Sequence, residues 1–158
     1  MKLKIALLAL LAGVSVALAD VVVSADELPK AAKTFISTHF KGVNISFVEK
    51  DSHFDVILAD GTDIDFSTSG EWLRVSSKYK PIPTGFVPAA VLSKLKAAQP
   101  SASIVAVHRA FDGYKFRLDN GTRYFVDNNG NVTQQKRDKM GKHRGHRQGF
   151  NKAFKGRA

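Results

Sequence analysis

The sequence contains no cysteine. This excludes a disulfide framework, thiol chemistry and a lipid anchor on an N-terminal cysteine. Methionine and tryptophan are also scarce, with 2 Met and 1 Trp, whereas 11 Phe contribute to a hydrophobic content of 44%. At 158 residues the chain is long enough to build one hydrophobic core.

A long membrane-spanning run is missing as well. Lys2 and Lys4 precede the apolar run Ile5–Ala12, and the small residues Ala17 and Ala19 come just before Asp20. The run is shorter than the roughly 20 residues that a membrane helix needs, so a membrane span is disfavoured. The pattern predicts a signal peptide over 1–19, and hence an exported bacterial protein, periplasmic or secreted, with no transmembrane segment after cleavage.

The region between the termini lacks net charge. The formal charge of the whole chain is +10, but nine Lys/Arg and one Asp fall in 136–158, and Lys2 and Lys4 add two positive charges. The remaining stretch, 20–135, holds 13 Lys/Arg and 13 Asp/Glu. The total therefore does not describe a basic domain, and no nucleic-acid partner is expected.

The basic tail over 136–158 is rich in glycine and shows no helical period, which predicts disorder. Its charge suits attachment to an anionic surface, with Phe150 and Phe154 as apolar anchors. His143 and His146 are weak metal candidates, because two ligands on a flexible chain make an adventitious site. No dedicated metal and no cofactor is predicted.

One stretch occurs twice. Residues Phe54–Trp72 and Tyr114–Val132 align without a gap at a distance of 60 positions, and glycines fall at equivalent places in both. Apolar and polar residues alternate through both copies, which is typical of half-buried strands. The sequence thus predicts two tandem units, at about 28–77 and 87–135, within one domain over 20–135.

Each unit is predicted to be a helix followed by four strands. The first helix begins near Pro29, and the second at Val87-Pro88. The strands Ile45–Lys50 and 104–109 follow the helices, and 76–85 connects the two units. The helix stripes have a period near 3.6; they consist of Ala32, Phe35, Ile36, His39 and Phe40 in the first and Val91, Leu92 and Leu95 in the second.

Turn length decides which side chains share a face. A two-residue turn at Asp60-Gly61 would place Leu58 opposite Asp63 and mix apolar with acidic residues. Three-residue loops, each ending in a glycine with positive φ, instead give one uniform apolar face. The predicted glycines are Gly61, Gly70, Gly121 and Gly130, and the predicted pairs are Leu58–Thr62, Val56–Ile64, Phe54–Phe66, Phe66–Trp72, Leu118–Thr122, Phe116–Tyr124, Tyr114–Val126 and Val126–Val132.

The opposite face is the candidate partner-binding surface. It is acidic in the first unit, where Asp55 opposes Asp65, and basic in the second, where Arg117 opposes Arg123. Directly opposed like charges destabilise a sheet. Either the two halves neutralise each other as ordinary solvated surface, or the face docks a partner. The predicted binding residues are Asp55, Asp63, Asp65, Lys115, Arg117, Arg123 and Phe125, with Ile57, Leu73 and Val75 also exposed.

Other candidate sites are weaker. Asp60, Asp63 and Asp65 do not have the spacing of a calcium loop, and Asp60 occupies a turn. His53 and His108 have no nucleophile at a recognisable spacing. No catalytic residue is therefore predicted.

Taken together, the apolar-Pro helix starts, the D/N-G-T turns of 60–62 and 120–122 and the G-x-W/V hairpins of 70–72 and 130–132 resemble the PepSY-like family related to beta-lactamase-inhibitor-like proteins. The resemblance spans about 28–135. It implies a secreted α+β protein with two helices on one antiparallel sheet, and inhibition or binding of an enzyme rather than catalysis.

Two functions follow as hypotheses. The first is an exported, non-enzymatic binding module, an inhibitor or modulator of an envelope enzyme, that uses the open sheet face. The alternative is an envelope-surface adaptor or small-ligand binder that the basic tail attaches to anionic surfaces. In both, the partner is an unidentified protein or small ligand of the envelope.

Overall fold

The computed structural model describes residues 21–136. The predicted signal peptide and nearly all of the basic tail lie outside these residues, as do His143, His146, Phe150 and Phe154. The helices are α1 (Lys30–His39) and α2 (Ala89–Ala98), and a 3-10 turn covers Ala25–Glu27. The strands are β1 (Val21–Val22), β2 (Ile45–Lys50), β3 (Phe54–Leu58), β4 (Asp63–Phe66), β5 (Trp72–Ser76), β6 (Ile104–Ala110), β7 (Gly113–Leu118), β8 (Arg123–Asp127) and β9 (Val132–Gln135).

The nine strands form one antiparallel sheet in which every strand lies beside its neighbours in sequence, in the order β1 to β9. The predicted α+β class is confirmed. The described residues contain one strand more than the eight predicted, because Val21 and Val22 pair with Lys50 and Glu49 at the edge of β2. No helix among the described residues is long and apolar enough to cross a membrane.

Both long helices begin one residue after a proline. Pro29 and Pro88 have ψ angles of 148° and 133°, so each is extended and occupies the N-cap position. The sequence pattern predicts Pro29 at the first helical position instead. The difference is one residue, and the reason for the proline is unchanged, since a helix start does not need its missing N–H.

The predicted strand register is confirmed in the hairpins. Phe54 pairs with Phe66 and Val56 with Ile64, while the amide of Leu58 donates to the carbonyl of Thr62 at 2.8 Å. The second set of strands repeats this pattern at Tyr114–Val126, Phe116–Tyr124 and Leu118–Thr122, and the pairs Phe66–Trp72 and Val126–Val132 are also formed. The four loop glycines have φ between 80° and 87°.

The core lies on one face of the sheet, beneath both helices. Ala32 and Ile36 from α1 and Leu95 from α2 belong to a single buried cluster with the inward side chains of β2–β8. An aromatic group extends this cluster beside α1, where Phe35 lies 5.5 Å from Phe66 and 4.9 Å from Phe86 between ring centroids. Because both helices cover the same face, the opposite face stays open.

One facing prediction was wrong. Val75 was expected on the open face, but it is fully buried in the core and pairs with Ile64. The register shifts between Asp65 and Phe66, so that Phe66 pairs with Trp72 while Asp65 pairs with Arg74. An irregularity of this kind inserts an extra residue and reverses the facing beyond it. Arg74 therefore takes an open-face position.

Candidate partner-binding face

Two rows of side chains cross the open face at right angles to the strands. The cross-strand pairs of consecutive strands place them in register from β2 to β9. The first row is Glu49, Asp55, Asp65, Arg74, His108, Lys115, Phe125 and Thr133, and the second is Phe47, Ile57, Asp63, Ser76, Ala106, Arg117, Arg123 and Gln135. The seven predicted binding residues all lie in these rows.

Arg74 pairs with two carboxylates of the acidic half of the face, which comprises the row residues of β2–β4. Its Nε donates to Asp65 Oδ2 at 2.5 Å and its terminal nitrogen to Asp65 Oδ1 at 2.9 Å, a bidentate pair. The same nitrogen lies 3.5 Å from Asp63. The Asp63 and Asp65 side chains are only 14% and 16% exposed. These two carboxylates are therefore engaged within the fold.

Asp55 is the residue of the acidic half whose pKa is raised. Burial, together with the neighbouring carboxylates of Asp65 and Asp63, raises the pKa of Asp55 to about 6. His53 opposes that shift, since its Nε2 lies 3.2 Å from Asp55 Oδ1. The other ring nitrogen of His53, Nδ1, lies 2.8 Å from Asp51 Oδ1, which fixes the ring between two carboxyls. The sequence pattern does not predict this contact between His53 and Asp55.

His53, Asp55 and Asp65 place one potential ligand atom each within 4.8 Å of one another. Such a group resembles a mixed histidine and carboxylate metal site. However, both oxygens of Asp65 accept hydrogen bonds from Arg74, so binding a cation would require breaking that pair. Asp60, the third aspartate considered from the sequence, accepts the Thr62 amide at 2.9 Å and contacts Lys80, as expected of a turn residue.

A serine also approaches His53. Ser52 Oγ lies 3.2 Å from His53 Nδ1, but Asp51 Oδ1 is nearer to the same nitrogen, at 2.8 Å. Because Nδ1 can donate its proton to the carboxylate, it is not a free base for the Ser52 hydroxyl. The three consecutive residues form a turn network rather than a nucleophile and its base.

The basic half of the face comprises the row residues of β6–β8. All of them except Phe125 line a groove of about 860 Å³, which Ile57, Gly61 and Asp63 line from the other side. The small side chains of Ser76 and Ala106 lie between its walls. Cationic residues line much of the rest, namely Arg74, Lys78, Lys115, Arg117 and Arg123, with His108 among them. Within the part of the chain that the structure describes, the single carboxylate that lines the groove is Asp63.

The cations of this half are not neutralised in the way that the carboxylates are. Arg117 donates to the backbone carbonyl of Ser77 at 2.9 Å. Among residues 21–136, Lys115 and Arg123 have no ion-pair partner, and both side chains are exposed. Burial and the charges of Lys115 and Arg74 lower the pKa of His108, which indicates an electropositive surrounding.

The apolar residues of the face are few. Ile57 and Phe125 are half-buried members of the two rows, as predicted, and Leu73 is half-buried in β5. Arg74 is the functional residue that sequence reasoning missed. The signal that could have found it is a lone arginine within reach of three aspartates in strands β3 and β4.

The fold and the face define a class: an α+β protein with an open antiparallel sheet whose uncovered face carries opposite charges in its two halves. The family described as "Putative beta-lactamase-inhibitor-like, PepSY-like" matches residues 52–134, which is more than half of the chain. The chain belongs to this PepSY-like family, and the resemblance inferred from the sequence is confirmed.

Solved structures agree with this assignment. A "putative periplasmic protein of unknown function" from Bacteroides vulgatus is 30% identical, with a TM-score of 0.68 over 73% of this chain and 99% of that one. A second "putative periplasmic protein" from the same species, of the DUF2874 family, is 28% identical, with a TM-score of 0.69 over 74% of this chain and 97% of that one.

A third structure, a "putative calcium-regulated periplasmic protein" from Bacteroides thetaiotaomicron, has a TM-score of 0.69 over 74% of this chain and 97% of that one. Its identity is 24%, so this likeness shows the fold alone. No curated protein matches the chain.

Proposed function

We propose that this protein is an exported, non-enzymatic binding module that docks a partner protein of the cell envelope on its open sheet face, and thereby inhibits or modulates an envelope enzyme. The observation that carries the proposal is the groove of the basic half, where Lys115 and Arg123 are exposed and have no ion-pair partner among the described residues. An unneutralised cluster on a rigid sheet costs stability, and a partner of complementary charge offsets that cost.

Export is part of the proposal. Residues 1–19 have the charge and apolar pattern of a signal peptide. The two relatives from Bacteroides vulgatus are described as periplasmic, which supports the same compartment for this chain. We also infer that the α1–β5 and α2–β9 units are tandem repeats. Their element order and hairpin registers agree, while their outward faces differ in charge.

The non-enzymatic part of the proposal rests on the histidines. The cross-strand neighbours of His108 are Arg74 and Lys115 rather than a carboxylate and a nucleophile. Nδ1 of His53 contacts the carboxylate of Asp51. A general base needs a free nitrogen within reach of the proton that it removes. His53 Nδ1 is not free in this way, and burial with the two cations beside His108 disfavours uptake of a proton by its ring.

The second candidate is an adaptor or small-ligand binder that attaches through its basic tail. The charge of 136–158, with nine Lys/Arg and one Asp, favours it. The two proposals differ in which part of the chain captures the partner, so they can be separated by removing one part at a time.

The experiment is affinity capture from an envelope extract with four versions of the chain. They are the wild type, a version without 136–158, a face variant with Lys115, Arg117 and Arg123 changed to Glu, and a matched control with Lys30, Lys41 and Lys94 changed to Glu. The control residues are exposed on or beside the helices, away from the open face. Circular dichroism and thermal unfolding verify that each version is folded.

We expect the face variant to lose a stoichiometric partner that the wild type, the tail-less chain and the control retain. Purified partner enzyme should then show lower activity with the wild type than with the face variant. Loss of the partner on tail removal alone would favour the adaptor. Retention by the face variant would refute the proposed binding surface.

A further inference from the structure

We propose that the groove of the basic half receives an extended acidic segment of the partner protein, with carboxylates at Lys115, Arg117 and Arg123. This inference names the partner chemistry for the proposed function and rests on it. It goes beyond a face with opposite charges in its two halves, because it assigns recognition of the partner to the basic half and a structural role to the acidic half.

The charges of the open face are paired within the fold to different extents in the two halves. In the acidic half, Asp65 is held by two hydrogen bonds to Arg74, and Asp55 lies beside His53. A basic partner segment would have to compete with these contacts. In the basic half, Lys115 and Arg123 have no such contacts within 21–136, so an incoming carboxylate displaces only water.

The cations of β7 have the same spacing as side chains on one side of an extended peptide. Lys115 and Arg117 are two residues apart on β7, so their Cα atoms are roughly 6.7 Å apart along the strand. Side chains of an extended peptide that point to one side repeat at the same distance. A segment of the form Glu-x-Glu that runs alongside β7 therefore matches the two cations. Arg123 lies opposite Arg117 on β8 and lines the same groove, so a second strand contributes a cation.

The arginines of the groove suit carboxylates, and the groove has room for a peptide backbone. Arginine side chains bind carboxylates with two parallel hydrogen bonds, which makes a pair of them selective for geometry as well as charge. Arg117 is already oriented, because it donates to the carbonyl of Ser77 at 2.9 Å. The small side chains of Ser76 and Ala106 leave room for a backbone to approach.

The rim supplies the kind of residues that anchor protein segments. Tyr79 follows Lys78, which lines the groove, and its side chain is 82% exposed. Phe125 pairs with Lys115 in the row. Tyrosine and arginine are enriched at the energetic centres of protein interfaces. This combination favours a protein segment over a lipid surface or an anionic polysaccharide.

The test uses a fluorescein-labelled peptide of alternating Glu and Ser and the same peptide with Gln in place of Glu. Binding to the full mature chain is measured by anisotropy near physiological ionic strength. The proteins are the wild type, the face variant and the helix-side control already described, together with a double variant, Lys115→Gln and Arg123→Gln. All of them carry the same basic tail, so differences between them report the groove.

We expect the Glu peptide to bind the wild type and the control equally, and the face variant at least about tenfold more weakly, because reversal turns three attractions into repulsions. The double Gln variant, which changes only exposed side chains, should lie between them and keeps the test valid if the triple variant misfolds. Equal binding of the Glu and Gln peptides, or of wild type and double variant, would overturn the inference. So would tighter, groove-dependent binding of phosphatidylglycerol vesicles or a sulfated polysaccharide.

The outcome can be separated from that of the proposed function. If the face variant loses the envelope partner but the Glu peptide does not bind, docking on the open face stands and the acidic-segment inference fails. If the peptide binds through the groove but the face variant still captures the partner, the groove recognises acidic segments and the partner docks elsewhere.

Discussion

The two halves of the sheet share their order of elements and their hairpin registers, and they differ in how many open-face charges are paired within the fold. In the half formed by α1 and β2–β5, an arginine pairs with two aspartates and an aromatic group packs beneath the helix. In the half formed by α2 and β6–β9, Lys115 and Arg123 are unpaired within the described residues. A polar group satisfied inside the fold stabilises it, whereas an unsatisfied one is available to a partner. Under the proposed function, the first half stabilises the fold and the second half recognises the partner.

The largest effect that separates the halves is expected on the helix side. A Cβ added at Gly70 would lie 2.8 Å from Pro29 Cβ and 2.9 Å from the Ala32 amide nitrogen. At Gly130 the nearest atom would be the flexible end of Lys94, at 3.4 Å. Both glycines have positive φ, so that cost is shared. We expect Gly70→Ala to lower the free energy of unfolding by about 3 kcal/mol or more, and Gly130→Ala by about 1 kcal/mol.

Urea unfolding of both variants measures this difference. Gly61→Ala is a useful control, because it shares the positive φ and has no atom within 4 Å of the added Cβ. Equal losses in all three would show that φ alone sets the cost and that α1 is no more tightly seated than α2.

The next effect concerns the paired and unpaired arginines. Arg74→Met leaves the Asp63 and Asp65 carboxylates, 14% and 16% exposed, without their cation. We expect a loss of about 2 kcal/mol near neutral pH, below the range for fully buried pairs because Arg74 is itself 36% exposed. Arg123→Met should change stability by less than about 0.5 kcal/mol, since Arg123 opposes Arg117 and forms no ion pair with any residue of 21–136.

Chemical denaturation of the two variants tests the comparison directly. A loss for Arg123→Met as large as that for Arg74→Met would mean that the basic half is also internally satisfied. The inference of an open recognition groove would then lose its basis.

Much of the fold, and less of the site, follows from the sequence. Alternation and loop length fixed which of Phe54, Val56 and Leu58 face the core, because a register error would have mixed apolar and acidic residues on both faces. The irregularity beside Phe66 has no comparable signature, so Val75 and Arg74 were assigned wrongly or missed. The pairing of Arg74 with Asp65 depends on that irregularity, and with it the conclusion that two carboxylates of the acidic half are paired within the fold.

A smaller effect is expected from relieving the opposed carboxylates. The folded-state pKa of Asp55 is raised from 3.8 to about 6, so its contribution to stability is fully present below about pH 3.8 and is lost as pH rises through about 6. Asp55→Asn removes this loss. We expect a gain of about 1 kcal/mol near pH 8, discounted because the carboxyl is half exposed, and no gain near pH 4.

Thermal unfolding across this pH range follows the effect. Glu71→Gln, which removes an exposed carboxylate in a turn, is the matched control. A variant that is less stable than wild type near pH 8 would show that the contact between His53 and Asp55 outweighs the repulsion from Asp65.

The smallest effect belongs to the groove. His108 faces Arg74 from β5 and Lys115 from β7, and these charges together with burial lower its pKa, while Asp65 opposes the shift. A bound carboxylate favours the imidazolium form, so binding of the Glu and Ser peptide should take up a proton. The affinity of wild type should therefore rise severalfold as pH falls below about 6.5, while the peptide glutamates stay ionised above about pH 5.

Asp55 also titrates in this range, so the comparison is made in the Asp55→Asn background, with and without His108→Gln. A pH dependence that survives His108→Gln would place the titrating group outside the groove, and a flat profile in both proteins would mean that His108 does not sense the ligand.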